Sequence, residues 1–466
     1  MTLAQELARR VLSITYDALP PEAVRAAKAA VFDTVGVTLA GSGEPCARIV
    51  GKLLPRGGPS VVFGTADRMA PLDAALVNGT ASHVLDFDDM QNSLGGHPSA
   101  PILPALFALA DAEPVDAKPV DGRAFIAAFV AGFETECRIG RGVNFHHYTK
   151  GWHPTATLGV LGAAAAASHL LRLDAARTAV ALAIAASLAS GIKANFGTMT
   201  KPLHVGHCAR NGLFAALLAR DDFTANPGAF EHKQGFLELF NGAGTYDVDK
   251  MLADWGAPLE IVEPGIAAKL YPCCGSTHPA IDVMIDLARR HDLKPAQVAR
   301  IESWTHARRL EHTNRPDPQS ALDAKFSVQH CLARALIDRA IRIEDFEGDE
   351  WRDPRVRKLL PRIQAAPYTT AQFAADNHFG AALRITLTDG SVLAGRTEQP
   401  QGRASEQPLS IEQLREKFDN CAARALPRAA CAPIAEMIGT LERVTDMRAL
   451  SALLAAAPPA QRRASA

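Results

Sequence analysis

Three histidine–proline pairs, His97-Pro98, His153-Pro154 and His278-Pro279, each stand directly before a stretch with helical spacing: SAPILPALFALAD, TATLGVLGAAAAAS and AIDVMIDLARR. A fourth segment, GTMTKPLHVGHCARNG (residues 197–212), sets Lys201, His204 and His207 at the start of another helix. Its spacing reads Thr200 as the cap and Pro202 as the first helical residue. A helix N-terminus already carries partial positive charge and free N–H groups, so a cation there is unfavourable unless an anion joins it. Four such ends point to a pocket for a small polyanion, most simply a di- or tricarboxylate. A phosphate ester is less suited, because no Gly-rich phosphate loop is present.

The acidic counterpart is ASHVLDFDDMQNSLGGHPS, with Asp86, Asp88 and Asp89 just past a helical pattern. His83 and Asp86 are three apart and share a helix face. Asp86 is read as the holder of a histidine, or as a base if burial raises its pKa. Asp88 and Asp89 read as solvated residues at a helix end. An Asp-x-Asp-Asp string also occurs in terpene cyclases, but those need aromatic-lined cavities and only 6% of this chain is aromatic. In KLYPCCGSTHPAID (residues 269–282) the adjacent cysteines lack zinc or iron–sulfur spacing, so a pocket-lining loop with Lys269 and His278 pointing inward is expected, and no metal. NFHHYTKGWHP adds Tyr148 and Lys150 as further acid/base candidates.

Elements must bring these groups together. Residues 1 to about 255 read almost wholly as helices, among them EAVRAAKAAVFDTVGVTLAGS, which closes on Gly41. Residues 155–190, rich in alanine and glycine, belong at the centre of a bundle. Near Pro258 the pattern changes: LEIVEP is short and β-like, VARIESWTHARRL contains an alternating run, and LRITLTDGSVLAGRT reads as a hairpin about Asp389-Gly390. Residues 408–454 return to helix, and the tail AAAPPAQRRASA is expected to be disordered. The fold class is therefore mainly α: a large helical domain from residues 1–258 and 400–466, and a smaller inserted α+β domain at 259–399.

With 466 residues and a net charge of −1, the chain has no bulk attraction to nucleic acid or anionic membrane, so recognition must be local. Eight scattered cysteines form no disulfide framework, and the apolar runs are too broken by charge to span a bilayer. A cytoplasmic setting fits.

Taken in order, HVLDFDD…HPSAPILPAL, GWHPTATLG, FGTMTKPLHVGHCARNG and KLYPCCGSTHPAID resemble the MmgE/PrpD superfamily, which includes 2-methylcitrate dehydratase, cis-aconitate decarboxylase and iminodisuccinate epimerase. The resemblance covers about residues 3–450. It implies a helical domain formed by both chain ends, an inserted lid domain, a homodimer, and a site between helical domain and lid without metal or organic cofactor. It also implies functional roles for Asp86, His97, His153, Lys201 and Lys269. Met90 stands where the decarboxylase branch has threonine, and the loop to His97 is one residue longer. Cys274 stands in place of a pocket histidine, and His330, in KFSVQH, in place of a tyrosine.

The resulting expectation is a cofactor-free lyase for a small polycarboxylate, most simply a hydro-lyase of the 2-methylcitrate dehydratase kind. Asp86, His97, His153 and Lys201 are the catalytic candidates; His204, Lys269, Cys274, His278, Tyr148 and His330 are the substrate-binding ones. The alternatives are an epimerase of a dicarboxylate such as iminodisuccinate, a decarboxylase of the cis-aconitate type, and a polycarboxylate-binding protein without catalysis.

Overall fold

The helix Pro21–Gly41 opens on a proline and buries almost its whole C-terminal half. It shows how the two ends of the chain meet. Phe32 stacks on Phe418 of the helix Ile411–Ala422 at 4.3 Å, and the buried Lys417 ammonium lies 2.6 Å from Asp33. The computed structural model describes residues 1–112, 118–403 and 408–456. All but the first two residues of the tail expected to be disordered fall outside that range. The chain is mainly α and divides into two units. The first comprises Met1–Val84, Asp88–Ala268 and Ser410–Ala466; the second comprises Leu85–Phe87 and Lys269–Leu409.

In the first unit the small-residue segment is central, as its composition implies. Every residue of the helix Gly159–Leu170 is buried except His169, whose Nε2 donates to the Ile14 carbonyl at 2.7 Å. The decisive crossing joins the helices Pro71–Val84 and Thr200–Arg220. A Cβ on Gly79 would lie 2.8 Å from the Gly206 Cα, and one on Gly206 would lie 2.2 Å from the Leu76 carbonyl oxygen. Only glycine at both positions permits that approach. His83 follows Gly79 by about one turn, whereas Lys201 precedes Gly206 by just over one turn and His204 by about half a turn, so the crossing sets the C-terminal end of one helix beside the N-terminal end of the other. The second helix begins at Thr200, two residues earlier than its pattern suggests, with Met199 as an N-cap that makes no side-chain hydrogen bond. Two short strands, β1 (Ser60–Val61) and β2 (Arg68–Met69), pair antiparallel within this otherwise helical unit.

LEIVEP does not form a strand. Ile261–Gly265 is a wide helical turn closed by the Gly265 N–H on the Glu260 carbonyl. Its β-like pattern is overridden by buried polar contacts. The Glu260 N–H donates to Glu134 Oε2 at 2.6 Å, and the Glu260 carboxylate accepts from Gln91 and Ser93, both at 2.9 Å, and pairs with Arg141.

The second unit is built on a four-stranded sheet in the order β4-β3-β5-β6: β3 (Val298–Thr305), β4 (Ile363–Pro367), β5 (Ala381–Leu387) and β6 (Val392–Thr397). β3 runs parallel to β4, with Ile301 beside Ile363, and antiparallel to β5, with Ile301 beside Ile385. β5 and β6 form the hairpin read from the sequence, turning at Asp389-Gly390 with Gly390 at φ 88°. The helices His278–Arg290 and Val328–Asp338 pack apolar side chains, among them Ile281, Met284, Leu332 and Leu336, with Ile301, Leu383 and Ile385 of the sheet into this unit's core. Among the described residues, no helix is long and apolar enough to cross a membrane.

Candidate active site

One cluster in the first unit holds most of the histidines singled out by spacing. His83 closes the helix Pro71–Val84, His97 precedes Pro98 at the entry to the helix Ser99–Ala112, and His153 caps the short helix Pro154–Thr157. The His83 ring meets that of His97 edge-on at 4.5 Å and lies 5.5 Å from that of His153. His153 and His204 face each other through their Nδ1 atoms at 3.3 Å. Gly191, at φ 120°, makes this approach possible. Its carbonyl accepts from the His153 N–H, and a Cβ there would come within 3.3 Å of the His204 ring. Phe196 packs edge-on against His153 at 4.9 Å, and the Lys201 ammonium lies 5.3 Å from the Phe196 ring. Lys201 is only 6% exposed although it opens a helix.

Asp88 and Asp89 are not the solvated helix-end residues their position suggests; both are fully buried. Asp88 Oδ2 lies 2.8 Å from His83 Nδ1 and 3.1 Å from His97 Nδ1. Burial opposes its ionisation, but these two imidazoles outweigh that and hold its carboxyl well below the ordinary value. Asp89 accepts from the Ser99 hydroxyl at 2.5 Å and the Ser99 N–H at 3.3 Å. Burial, with Asp33 and Asp88 nearby, pushes Asp89 up to about 8. It is a neutral acid capping the helix that follows His97-Pro98. Glu136 is fully buried behind it and is likewise pushed up by burial and by Asp89. The carboxylate that holds His83 is thus Asp88, two residues beyond the Asp86 proposed from helix spacing.

The electrostatics divide the histidines. Burial pushes His83 down to about 3, with Asp88 opposing the shift, so it is neutral at physiological pH. His153 falls well below the ordinary value through burial, reinforced by His83, Lys201, His204 and His97. His204, half-buried, is lowered by burial and by His207 and Lys201. The cluster therefore combines neutral imidazoles with one lysine, which suits holding a carboxylate and moving a proton beside it. The ligand atoms of His83, Asp88 and His97 lie within 4.8 Å of one another and could hold a metal ion. As they stand, one oxygen of Asp88 serves both imidazoles, with the closer contact to His83.

The second unit carries its own charged core. The Lys269 ammonium donates to the carbonyls of Asp86 and Cys273 at 2.7 and 3.2 Å and lies 3.3 Å from Asp86 Oδ2. His278 Nε2 donates to the Cys273 carbonyl at 3.2 Å, and the Cys274 N–H donates to the Lys325 carbonyl. Lys269, Cys274 and His278 are buried together as their shared loop implies. Cys273, absent from the sequence-based candidates, has its thiol held well below the ordinary value; burial opposes this, and Cys331, His278 and Thr277 outweigh it. Tyr148 is engaged with Lys193, whose ammonium lies 3.6 Å over its ring. His330 is buried against Phe346 and has no hydrogen-bond partner on either ring nitrogen among the described residues.

Residues 5–249 match the MmgE/PrpD N-terminal domain and residues 271–443 the MmgE/PrpD C-terminal domain. The chain belongs to the MmgE/PrpD family. Among curated relatives, it is 30% identical to the cis-aconitate decarboxylase of Homo sapiens over 98% of this chain and 95% of the relative. It is also 30% identical to that of Mus musculus, over 97% and 93%. The cis-aconitate decarboxylase of Aspergillus terreus is 27% identical over 96% of this chain and 95% of its own. A decarboxylase breaks a carbon–carbon bond, so these family members are lyases.

Proposed function

We propose that this MmgE/PrpD protein is a lyase for a small polycarboxylate, and that it removes carbon dioxide from a tricarboxylate of the cis-aconitate type. The observation that carries the proposal is the grouping of buried His97, His153 and Lys201 with half-buried His204, which sets a cation beside the neutral imidazoles of His153 and His204. The relatives' activity supports the decarboxylation reading over the hydro-lyase one. When the carbon–carboxyl bond breaks, its electron pair must flow into a system conjugated with a remaining carboxylate. A proton must then be delivered to carbon, while carbon dioxide leaves. Lys201 would neutralise the carboxylate that receives the charge, and an imidazole would supply the proton.

A hydro-lyase remains the second reading, favoured by Met90 and Cys274 at positions where the decarboxylase branch carries threonine and histidine. Incubation with cis-aconitate and with 2-methylcitrate in deuterated water, followed by NMR and carbon dioxide trapping, separates the two. Decarboxylation releases carbon dioxide and leaves one deuterium on carbon; dehydration interconverts alcohol and alkene without carbon dioxide. Lys201→Met should lower kcat/KM by roughly 100-fold or more with an unchanged melting temperature. No exchange or turnover with any di- or tricarboxylate, or near-normal turnover in Lys201→Met, would remove the proposal.

A further inference from the structure

We propose that Asp88, braced by His83, is the positioning residue that fixes His97 as the proton-transfer group of this site; the inference rests on the lyase reading above. The geometry is specific. One oxygen of Asp88 faces Nδ1 of two imidazoles, at 2.8 and 3.1 Å. An ionised carboxylate can only accept, so the tautomer it favours on each ring is the one with the hydrogen on Nδ1. That leaves the lone pair of His97 on Nε2. A histidine held in one tautomer by a buried carboxylate is the arrangement that makes an imidazole an effective base and then an effective acid.

His83 cannot fill that role itself. It is 1% exposed, and its Nε2 has no hydrogen-bond partner among the described residues. Its contribution is to satisfy the carboxylate and to press edge-on against the His97 ring, removing that ring's rotational freedom. The chain around His97 is fixed as well. Its N–H donates to Thr155 Oγ1 at 3.1 Å, and two residues on, Ser99 is tied to Asp89 by both its hydroxyl and its N–H. Adjacent acids thus do two jobs: Asp88 orients the ring and Asp89 anchors the backbone. His153 has no such partner. Its Nδ1 faces another imidazole, that of His204, and its neighbours Lys201 and His204 disfavour a positive charge on it. His153 is therefore a neutral hydrogen-bonding group beside the substrate, and the proton passes through His97 Nε2. Asp88 stays ionised throughout.

The test needs no substrate for its first arm. Nitrogen-15 NMR of histidine-labelled protein, with the His97 signals assigned by their loss in His97→Gln, should show the ring's hydrogen on Nδ1. In Asp88→Asn the carboxamide can donate, and the His97 ring should change to the Nε2–H form. The second arm is kinetic. Asp88→Asn should lower kcat by roughly 10³- to 10⁴-fold, the scale seen when a catalytic histidine takes the wrong tautomer, with KM within about threefold. His83→Asn should lower kcat less, by roughly 10- to 100-fold, and keep the tautomer. An Nε2–H ring in the wild-type protein would overturn the inference even if Asp88→Asn fails to fold. So would an Asp88→Asn enzyme with kcat within about threefold of wild type. Because the tautomer is read without substrate, a wrong choice of carboxylate leaves this arm standing.

Discussion

The Lys269 ammonium sits 3.3 Å from Asp86 Oδ2 and 2.7 Å from the carbonyl oxygen of the same residue, with both side chains almost entirely buried. Asp86 takes the left-handed backbone conformation, at φ 54°, which an aspartate tolerates better than most residues. The short segment Leu85–Phe87 is held by a second lysine too, since Lys325 donates to the Leu85 carbonyl at 2.8 Å. Two lysine ammonium groups on successive carbonyls fix the path of this turn, and the Asp86 carboxylate balances the charge of one of them.

A buried carboxylate that loses its cation is costly, by about 3–5 kcal/mol. Lys269→Met should therefore destabilise the protein by about that amount in urea denaturation. Asp86→Asn alone should also destabilise it, and the double variant should be less destabilised than the sum of the two by at least about 1 kcal/mol. Additive effects would mean that the pair contributes no mutual stabilisation and that the lysine serves the carbonyls alone.

Asp89 gives a prediction in pH. Its folded value is raised to about 8 from 3.8, chiefly by burial, so the folded chain keeps a proton that the unfolded chain has released. Stability from this group is then lost as pH rises between about 4 and 8, by about 1.4 kcal/mol per unit, and levels off above 8. Asp89→Asn is neutral at every pH and has no such slope. Its stability relative to wild type should rise steadily between pH 5 and 8 when followed by urea denaturation. A constant offset across that range would show that Asp89 is ionised in the fold.

Local periodicity carried the fold a long way. The stripe ending at Gly41, the alternation around Asp389-Gly390, and the His-Pro pairs before helices each depend on neighbours within one turn or one hairpin, and each was legible. What local pattern cannot express is the partner across space. LEIVEP reads as a strand until Glu134, Arg141, Gln91 and Ser93 are supplied from elsewhere in the chain. Asp88 and Asp89 read as solvated because acids past a helix end usually are. Their burial depends on His97 and Ser99, nine and ten residues later, folding back over them. One signal was available: three acids at a helix C-terminus, where the dipole disfavours them, call for compensating partners. The same dipole argument applies to Lys201 at the opposite kind of helix end. His330 is a candidate by resemblance and Tyr148 by residue type, and nothing in their local sequence announces Phe346 or Lys193 as their contacts.

His330 supplies a pH dependence of the opposite sign. It is fully buried in the helix Val328–Asp338, and burial, with Arg334 and Arg357 nearby, pushes it down from 6.5 to about 3. Above pH 6.5 the imidazole is neutral in both folded and unfolded chains and imposes no pH dependence. As pH falls below 6.5 the unfolded chain takes up a proton that the folded chain refuses until about 3. Stability is lost across that window at about 1.4 kcal/mol per unit. With neither ring nitrogen hydrogen-bonded among the described residues, an apolar side chain of similar volume should fit without leaving a donor stranded. His330→Leu should therefore match or exceed wild-type stability at pH 7.5. Its advantage should widen by about 1.4 kcal/mol for each unit of acidification from 6.5 to 4.5, read from urea denaturation at each pH. If the two proteins instead lose stability in parallel through that range, His330 takes up its proton in the folded state. Its ring must then reach an acceptor or solvent, and a substrate-binding role for it would gain support.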